Sequence, residues 1–435
     1  MPLKNYYQDI IRNLNTSKLL RFFLYLLIFF QPFNRFNSFR EIGFYGLLLL
    51  FILKIFKDKT VRIDFRDKTI VALSFLVGWS LLASVLGPYP LDSLNAIRKN
   101  LLAQVLIFIV IITEFKDAQE LKRLFWIIVV SFFVVTFASI IEFVQADWTK
   151  FHQLNRTHKM FIGGYANNAT FYLPFIMAWL ISMDKTKWEK LLGLTTLFAG
   201  IIIVFIYNSR TAILAIPIGM LVILFLSKKY KLFIASLIIF ILCISAIFLS
   251  KSDVFSKYRS LSEPETFTKM DSRIYVWQGA LHIIERRPFL GYGYGWKKMA
   301  FVAENSNLPD YWKQYYPDIY SYYVENAHSG YGRVNPHNLM LQIVFEIGLI
   351  GLGIFLYFWT TIIFKIFEVA SSNQRSETRN MTLYSIGILI PYLLINITNG
   401  FWQETYGNMI FLFMASVFVI YRQYANESKV YEKIL

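Results

Sequence analysis

The chain has little of what soluble and secreted proteins rely on. It contains one cysteine, Cys243, in 435 residues, so an intramolecular disulfide is impossible. This cysteine lies in the apolar run LIIFILCISAIFL, where a reactive thiolate or a thiolate metal site is not expected. Charged residues make up only 17% of the chain, against about a quarter in an average soluble domain. No stretch has the composition of a linker, and no internal repeat of the kind typical of secondary transporters is evident.

Apolar residues, by contrast, are abundant and lie in long runs. They form 56% of the chain, and aromatic residues form 18%. Because about 20 apolar residues in a helix span the hydrocarbon of a bilayer, the runs predict an all-α polytopic membrane protein. About twelve transmembrane cores are expected, at 19–33, 42–56, 69–87, 100–114, 124–144, 168–183, 191–207, 211–226, 232–250, 338–364, 381–398 and 408–421. The first run leads into QPFNRFNSFR without a cleavage-site pattern, so it is expected to be a retained helix.

The formal net charge of +16 arises from short basic clusters between the apolar runs. This arrangement is typical of membrane orientation and contact with anionic lipids, so nucleic acid is not an expected partner. The basic connections are the N-terminus, 57–68, 115–123, 184–190, 227–231, 365–380 and the C-terminal tail. The positive-inside rule therefore predicts that both termini are cytoplasmic. The division expected is a single membrane domain, 1–435, with one large outward loop, 251–337, between the ninth and tenth transmembrane helices, containing amphipathic helices.

Arg210 is the first candidate for a functional residue. It closes the short turn Asn208–Arg210 between two apolar spans, which places it at the outward start of the eighth span. An arginine at such a position often only reaches to lipid headgroups. Its planar guanidinium at a helix N-terminus is also well suited to an anionic ligand such as a phosphate.

Arg273 is the second candidate, in the large outward loop. Asp271 or Ser272 can cap a helix here, and Ile274, Trp277, Leu281 and Ile284 recur at helical spacing. The pattern predicts an amphipathic helix along the membrane surface, followed by a turn with Gly291, Gly293 and Gly295. Taken alone, Arg273 fits a solvated charge as well as a ligand-binding residue.

His337 is the third candidate. Pro336 fits the first turn of a helix with Asn335 as its cap, which would place His337 in that turn at the outer membrane face. An isolated histidine near an interface is often structural, but its pKa suits it to accept a proton from a sugar hydroxyl. Asn338 could orient it or bind a ligand. Residues that could support it are Asn338, Arg98, Arg333 and the intramembrane Glu346, which is expected to have a partner.

The order of these parts resembles the O-antigen ligase and polymerase superfamily of bacterial inner-membrane glycosyltransferases. The resemblance covers mainly residues 205–355. It rests on the N-S-R turn, then R-x3-W-x13-G (Arg273, Trp277, Gly291), then P-H-N opening a helix with E-x-G-x2-G (Glu346, Gly348, Gly351). The first half of the chain matches only in hydropathy.

The resemblance implies a GT-C-like enzyme of the bacterial inner membrane with a periplasmic active site. A ligase of this superfamily moves polysaccharide from undecaprenyl pyrophosphate to a sugar of lipid A–core, without metal or nucleotide cofactor and with inversion at the anomeric carbon. Carried over to this chain, Arg210 and Arg273 would hold the donor pyrophosphate. His337 would activate the acceptor hydroxyl.

Three other functions stay open. A polymerase of the same superfamily joins two lipid-linked chains, and is often described with R-x10-G motifs. None is found at Arg210, Arg273, Arg286 or Arg287, which favours the ligase. Protein O-oligosaccharyltransferases share the scaffold. A flippase or transporter of lipid-linked oligosaccharides would favour charged residues inside several spans, whereas the polar features here gather in the outward connections.

Overall fold

The structure, a computed structural model, describes residues 15–57, 63–146, 161–182, 185–207, 209–249, 273–329, 334–371 and 376–434. Throughout these residues it is helical, and no strand occurs in them, so the predicted all-α class is confirmed. The helices before the large loop are α1 Thr16–Phe29, α2 Asn37–Lys57, α3 Lys68–Val85, α4 Pro90–Ala96, α5 Leu102–Glu114, α6 Ala118–Gln145, α7 Tyr165–Ser182, α8 Lys187–Tyr207, α9 Arg210–Leu226 and α10 Tyr230–Leu249. A π-helical turn, Ile97–Leu101, joins α4 to α5.

The second half contains four short helices and then three long ones. They are α11 Arg273–Ile284, α12 Met299–Glu304, α13 Leu308–Tyr315, α14 Pro317–Tyr320, α15 Leu339–Ser371, α16 Ser376–Asn396 and α17 Glu404–Ile434. The predicted caps of α11, Asp271 and Ser272, lie outside the described residues. Within α11 the packed side is formed by Val276, Gly279, Ala280 and Ile283, whereas Ile274 and Leu281 of the predicted apolar stripe are exposed.

Each of the twelve predicted cores overlaps one of the long helices or the α4–α5 unit. Within the described residues, six segments are long and apolar enough to cross a membrane: Lys68–Val85, Pro90–Glu114, Ala118–Gln145, Lys187–Tyr207, Leu339–Ser371 and Glu404–Glu427. Three shorter apolar helices, Thr211–Leu226, Tyr230–Ala246 and Thr382–Asn396, accompany them. The chain is therefore a helical membrane protein, while a total of twelve spans stays a prediction.

One end of the bundle is held by ion pairs and is called here the ion-paired end. Lys54 near the end of α2 pairs with Glu114 at the end of α5, and Arg21 of α1 pairs with Glu120 of α6, with 3.1 Å between their charged atoms. The beginning of α3 is tied to α15 there as well, because Lys365 Nζ lies 2.8 Å from a carboxylate oxygen of Asp67.

The opposite end, called here the loop end, carries α11–α14. These short helices have their own core, in which Trp312, Tyr323 and Ile319 are fully buried. The core continues onto α15 through Phe345, whose ring stacks on Tyr292 with 5.2 Å between ring centroids. The large loop is therefore packed onto the bundle.

Candidate active site

The helix α15 is interrupted where the loop end meets it. Gly348 has φ 70° and ψ 178°, which no α-helix contains. The Phe345 carbonyl, freed by the break, accepts from the Tyr292 N–H at 2.8 Å. The Leu349 N–H donates to the Pro288 carbonyl, also at 2.8 Å. The segment after α11 thus supplies the backbone hydrogen bonds that the interrupted helix lacks, as a break at membrane depth requires.

Glycines are needed at this junction because the two backbones touch. At Gly348 a Cβ would lie 2.0 Å from the Phe289 carbonyl oxygen, and at Gly291 it would lie 2.7 Å from the Glu346 carbonyl carbon. Both residues have positive φ, which only glycine adopts without strain. The spacing of R-x3-W-x13-G and E-x-G-x2-G therefore has a structural cause: it brings two glycines to one backbone crossing.

Glu346, next to the break, is fully buried and surrounded by donors. Its carboxylate accepts from Gly295 N at 2.9 Å and from Gln342 Nε2 at 2.8 Å. It also accepts from the side chains of Trp402 and Gln403, just before α17. The expected partner is thus a set of neutral donors from three segments. This makes Glu346 a junction between the loop, α15 and α17.

Lys298 was not identified from the sequence, although it closes the run GYGYGWKK. Its Nζ donates to Ser93 Oγ at 2.6 Å and to the Tyr294 carbonyl at 2.7 Å. Burial lowers the pKa of Lys298 to about 8, against the opposing attraction of Glu346 and Asp92. Its signal in the sequence was weak, because only the fold brings Ser93 to it.

His337 lies just before α15, which corrects the predicted helix start. The helix begins at Leu339 and its cap is Asn338, whose Oδ1 accepts from Met340 N at 3.0 Å and Leu341 N at 3.1 Å. Asn335, predicted as the cap, instead accepts from the His337 N–H at 2.7 Å. His337 has φ 48°, a left-handed conformation rare outside glycine. Two asparagines therefore hold it between a turn and a helix.

The imidazole of His337 is largely shielded from solvent. Burial lowers its pKa to about 4, and the positive charge of Arg273 adds to this effect. The ring of Tyr322 lies nearby, with 6.5 Å between ring centroids, and its hydroxyl donates to the Asn335 carbonyl at 2.8 Å. At neutral pH the imidazole is therefore uncharged and has a nitrogen lone pair that can accept a proton.

The start of α9 meets the same part of the structure. Thr211 Oγ1 lies 3.2 Å from Thr398 Oγ1, and Asn338 Nδ2 donates to the carbonyl of the preceding residue, Ile397, at 3.1 Å. The turn after α16 thus links the beginning of α9 to the residue that follows His337. The backbone of Arg210 begins α9, as the sequence predicted, while its side chain is outside the described part of the structure.

The other site residues predicted from the sequence, Arg98, Arg333 and Asn338, have different outcomes. Arg98 is exposed and donates to Tyr45 of α2 at 3.1 Å and to Asn95 at 3.0 Å, so its contacts lie away from His337. Arg333 lies outside the described residues. Asn338 acts as a helix cap, with both parts of its amide in use.

The fold and this arrangement define a helical membrane protein with a polar site at one end of its bundle. A family model described as O-antigen ligase matches residues 195–356, nearly the stretch that carried the resemblance. A Rickettsia typhi protein named as a candidate polysaccharide ligase is 22% identical over 331 residues, which cover 75% of this chain and 74% of the relative. A Rickettsia felis protein with the same description is 27% identical over 261 residues, covering 57% of this chain and 59% of the relative. The resemblance to the O-antigen ligase superfamily is thereby confirmed.

Proposed function

We propose that the protein is a polysaccharide ligase that transfers a glycan from undecaprenyl pyrophosphate to a sugar hydroxyl of lipid A–core. The observation that carries the proposal is the position of His337, which Asn335 and Asn338 hold at the start of α15, within the electrostatic influence of Arg273 and beside the turn that contacts the start of α9. A proton acceptor and a guanidinium are the two groups that glycosyl transfer from a pyrophosphate requires. The family match and the Rickettsia relatives support the same class of reaction.

In the proposed step, His337 accepts the proton of the acceptor hydroxyl as its oxygen attacks the anomeric carbon. The bond between that carbon and the pyrophosphate oxygen breaks, and the electron pair leaves with the lipid pyrophosphate. Attack from the face opposite the leaving group inverts the anomeric carbon. Arg273, with Arg210 at the N-terminus of α9, would stabilise the charge that gathers on the pyrophosphate. The resemblance implies that no metal takes part.

Donor binding would also prepare the base. An anionic pyrophosphate beside Arg273 offsets the positive charge that disfavours protonation of His337. The pKa of the imidazole would then rise toward its ordinary value, which makes it a stronger proton acceptor only when the donor is in place.

In the proposed orientation the loop end faces the periplasm and both termini face the cytoplasm, across the bacterial inner membrane. The start of α1 lies at the ion-paired end because Arg21 pairs with Glu120. Arg422 of α17 lies there as well, because it donates to the carbonyls of Ile112 and Phe115 near the end of α5. The basic connections follow the helices that end there, which the positive-inside rule assigns to the cytoplasm.

The test is transfer by the purified full chain in lipid vesicles, with lipid-linked polysaccharide and lipid A–core as substrates. His337→Gln removes the titratable base but keeps a polar side chain, so transfer should fall by about 100-fold or more. His282→Gln is the matched control, because this loop histidine contacts Trp312 rather than the site. Wild-type transfer by a folded His337→Gln variant would refute the assignment.

A polymerase of the superfamily is the second candidate, since the same base and cation would serve an acceptor that is itself lipid-linked. Deleting the gene and separating the lipopolysaccharide on a gel distinguishes the two. Free core with accumulated lipid-linked polymer indicates the ligase. Core that carries a single repeat indicates the polymerase.

A further inference from the structure

A polar cleft, separate from His337, opens at the loop end between α2, the π-helical turn and the start of α17. It consists of three adjoining cavities of about 410, 290 and 250 Å³. The two smaller ones share Arg40 and Glu404, and the two larger ones share Lys99 and Asn100. We call these three adjoining cavities together the outer cleft. Its largest part falls in the range of about 300–1,000 Å³ typical of ligand pockets.

The side chains in the walls of the cleft are suited to hydrogen bonds with hydroxyl groups. Amide side chains recur around the two smaller cavities: Gln31, Asn34, Asn37, Asn100, Asn168 and Asn408. Across the three cavities the charges nearly balance, because the basic residues Arg40, Lys99, Lys297 and Lys298 accompany the acidic residues Asp92, Glu41 and Glu404. Nearly balanced charges with many amides favour a polyhydroxylated ligand over a simple anion, since an amide can both donate to and accept from hydroxyls and a carboxylate can accept from them.

One face of α2 lines this cleft. Asn37, Arg40, Glu41 and Phe44 line it at spacings of three and four residues, the spacing of one helix face. Ser38, which lies off this face, is exposed and does not line the cleft. Phe44 adds an apolar surface of the kind that packs on sugar rings.

A buried amide in the wall lacks one of its partners. Asn408 is only 9% exposed, and its Nδ2 donates weakly to Gln31 Oε1 at 3.4 Å. Its Oδ1 has no hydrogen-bond partner among the residues that the structure describes. Because buried acceptors are nearly always paired, the fold leaves this oxygen one hydrogen bond short in the wall of the cleft.

Glu404 joins the parts of the cleft and is held in a strained conformation. It has φ 57°, its N–H lies 3.3 Å from Asn100 Oδ1, and its carboxylate lies 2.8 Å from Lys297 Nζ. Backbone strain of this kind persists at sites where the surrounding structure fixes a side chain for binding.

The outer cleft is connected to the His337 region by the segment 397–404. Ile397 accepts from Asn338, and a Cβ at Gly400 would lie 3.5 Å from Asn335 Oδ1. The same segment contains Gln403, which lines the 410 Å³ cavity. A glycan in the cleft would therefore lie one short segment away from the base.

We propose that the outer cleft is a glycan-binding site that holds sugar residues away from the reacting bond. Hydroxyl groups of the glycan contact the amides and the Arg40–Glu404 region. The glycan belongs either to the donor polysaccharide or to the acceptor core, because both present the sugar hydroxyls that this site would bind. The identity of this glycan rests on the proposed function, whereas its binding at the cleft does not need His337, so binding and transfer can fail separately.

The test measures binding of two probes to the full chain in detergent by saturation-transfer NMR and calorimetry. One probe is the polysaccharide, and the other is the core oligosaccharide, each released by mild acid from lipopolysaccharide of the source cell. Thr405→Trp places a large side chain in the cleft and should lower the affinity for the probe that binds there about tenfold or more. Ser38→Trp is the matched control and should leave binding unchanged.

A second variant keeps the test decisive if Thr405→Trp does not fold. Asn37→Ala is at an exposed position and should weaken the same probe several-fold with an unchanged thermal midpoint. His337→Gln should bind the probe as the wild type does. The proposal is overturned if neither probe binds the wild type, or if both cleft variants bind as tightly as it does. Loss of binding in His337→Gln alone would place the glycan at the base and also overturn it.

Discussion

The two ends of the bundle use their charged residues in opposite ways. At the ion-paired end, Glu114 is buried against Lys54, with side-chain exposures of 2% and 13%. At the loop end, the ion pair of Lys297 and Glu404 is exposed, with 64% and 53%. The first pair joins two long helices, whereas the second forms part of a cleft wall.

The difference shows which polar groups serve the fold and which are available to a ligand. A buried pair fixes helices at the cost of desolvation, and its removal leaves a charge with no partner. At the loop end, the imidazole of His337 can accept a proton, and the Oδ1 of Asn408 lacks a hydrogen-bond partner in the described residues, so the fold leaves both groups partly unused. Function is therefore expected at the loop end and stability at the ion-paired end.

The largest effect is expected where the loop end is joined to the bundle. Gly348→Ala puts a Cβ 2.0 Å from the Phe289 carbonyl oxygen at a positive φ. The combined backbone strain and overpacking should cost on the order of 4 kcal/mol and abolish transfer. Thermal unfolding in detergent measures the loss.

Gly353→Ala is the control on the same helix. No atom lies within 4 Å of the added Cβ, so the substitution should be neutral or stabilise the helix by up to about 1 kcal/mol. Equal midpoints for the two variants would show that the junction at Gly348 does not hold the loop end in place.

The sequence predicted the helices better than the site because the two depend on different information. Apolar runs reveal their own helices, and the short turn before Arg210 was visible as an isolated cation between two of them. The break at Gly348 was not predicted, since it depends on Pro288 and Tyr292 arriving from the loop. The helix cap was assigned to Asn335 instead of Asn338 because both follow the same local rule.

The outer cleft was missed for the same physical reason. Arg40, Lys99 and Glu404 each lie beside a different apolar span, and no spacing in the sequence relates them. An exposed charge at a helix end is common, so none of the three stood out alone. Only the fold, which places α2 across the cleft from the π-helical turn and the start of α17, makes them neighbours.

An effect of intermediate size on stability should distinguish the ion pairs of the two ends. Lys54→Ala leaves the buried Glu114 carboxylate without its cation, which should cost about 3 kcal/mol of stability. Lys297→Ala removes an exposed partner and should change stability by less than about 1 kcal/mol. Unfolding midpoints measure both. A larger loss in Lys297→Ala would reverse the roles assigned to the two ends.

The smallest effect concerns the proton acceptor. A protonated imidazole cannot accept a proton, so transfer falls as the pH drops through the pKa of His337. In the free protein this pKa is about 4, so the acid limb of kcat/KM should lie near that pH. In the donor complex the pyrophosphate offsets Arg273, so the acid limb of kcat should lie at higher pH. Arg273→Gln should move the acid limb of kcat/KM toward higher pH, because it removes a positive charge that disfavours protonation of His337. Coincident limbs in the wild type would mean that the donor does not bind beside Arg273.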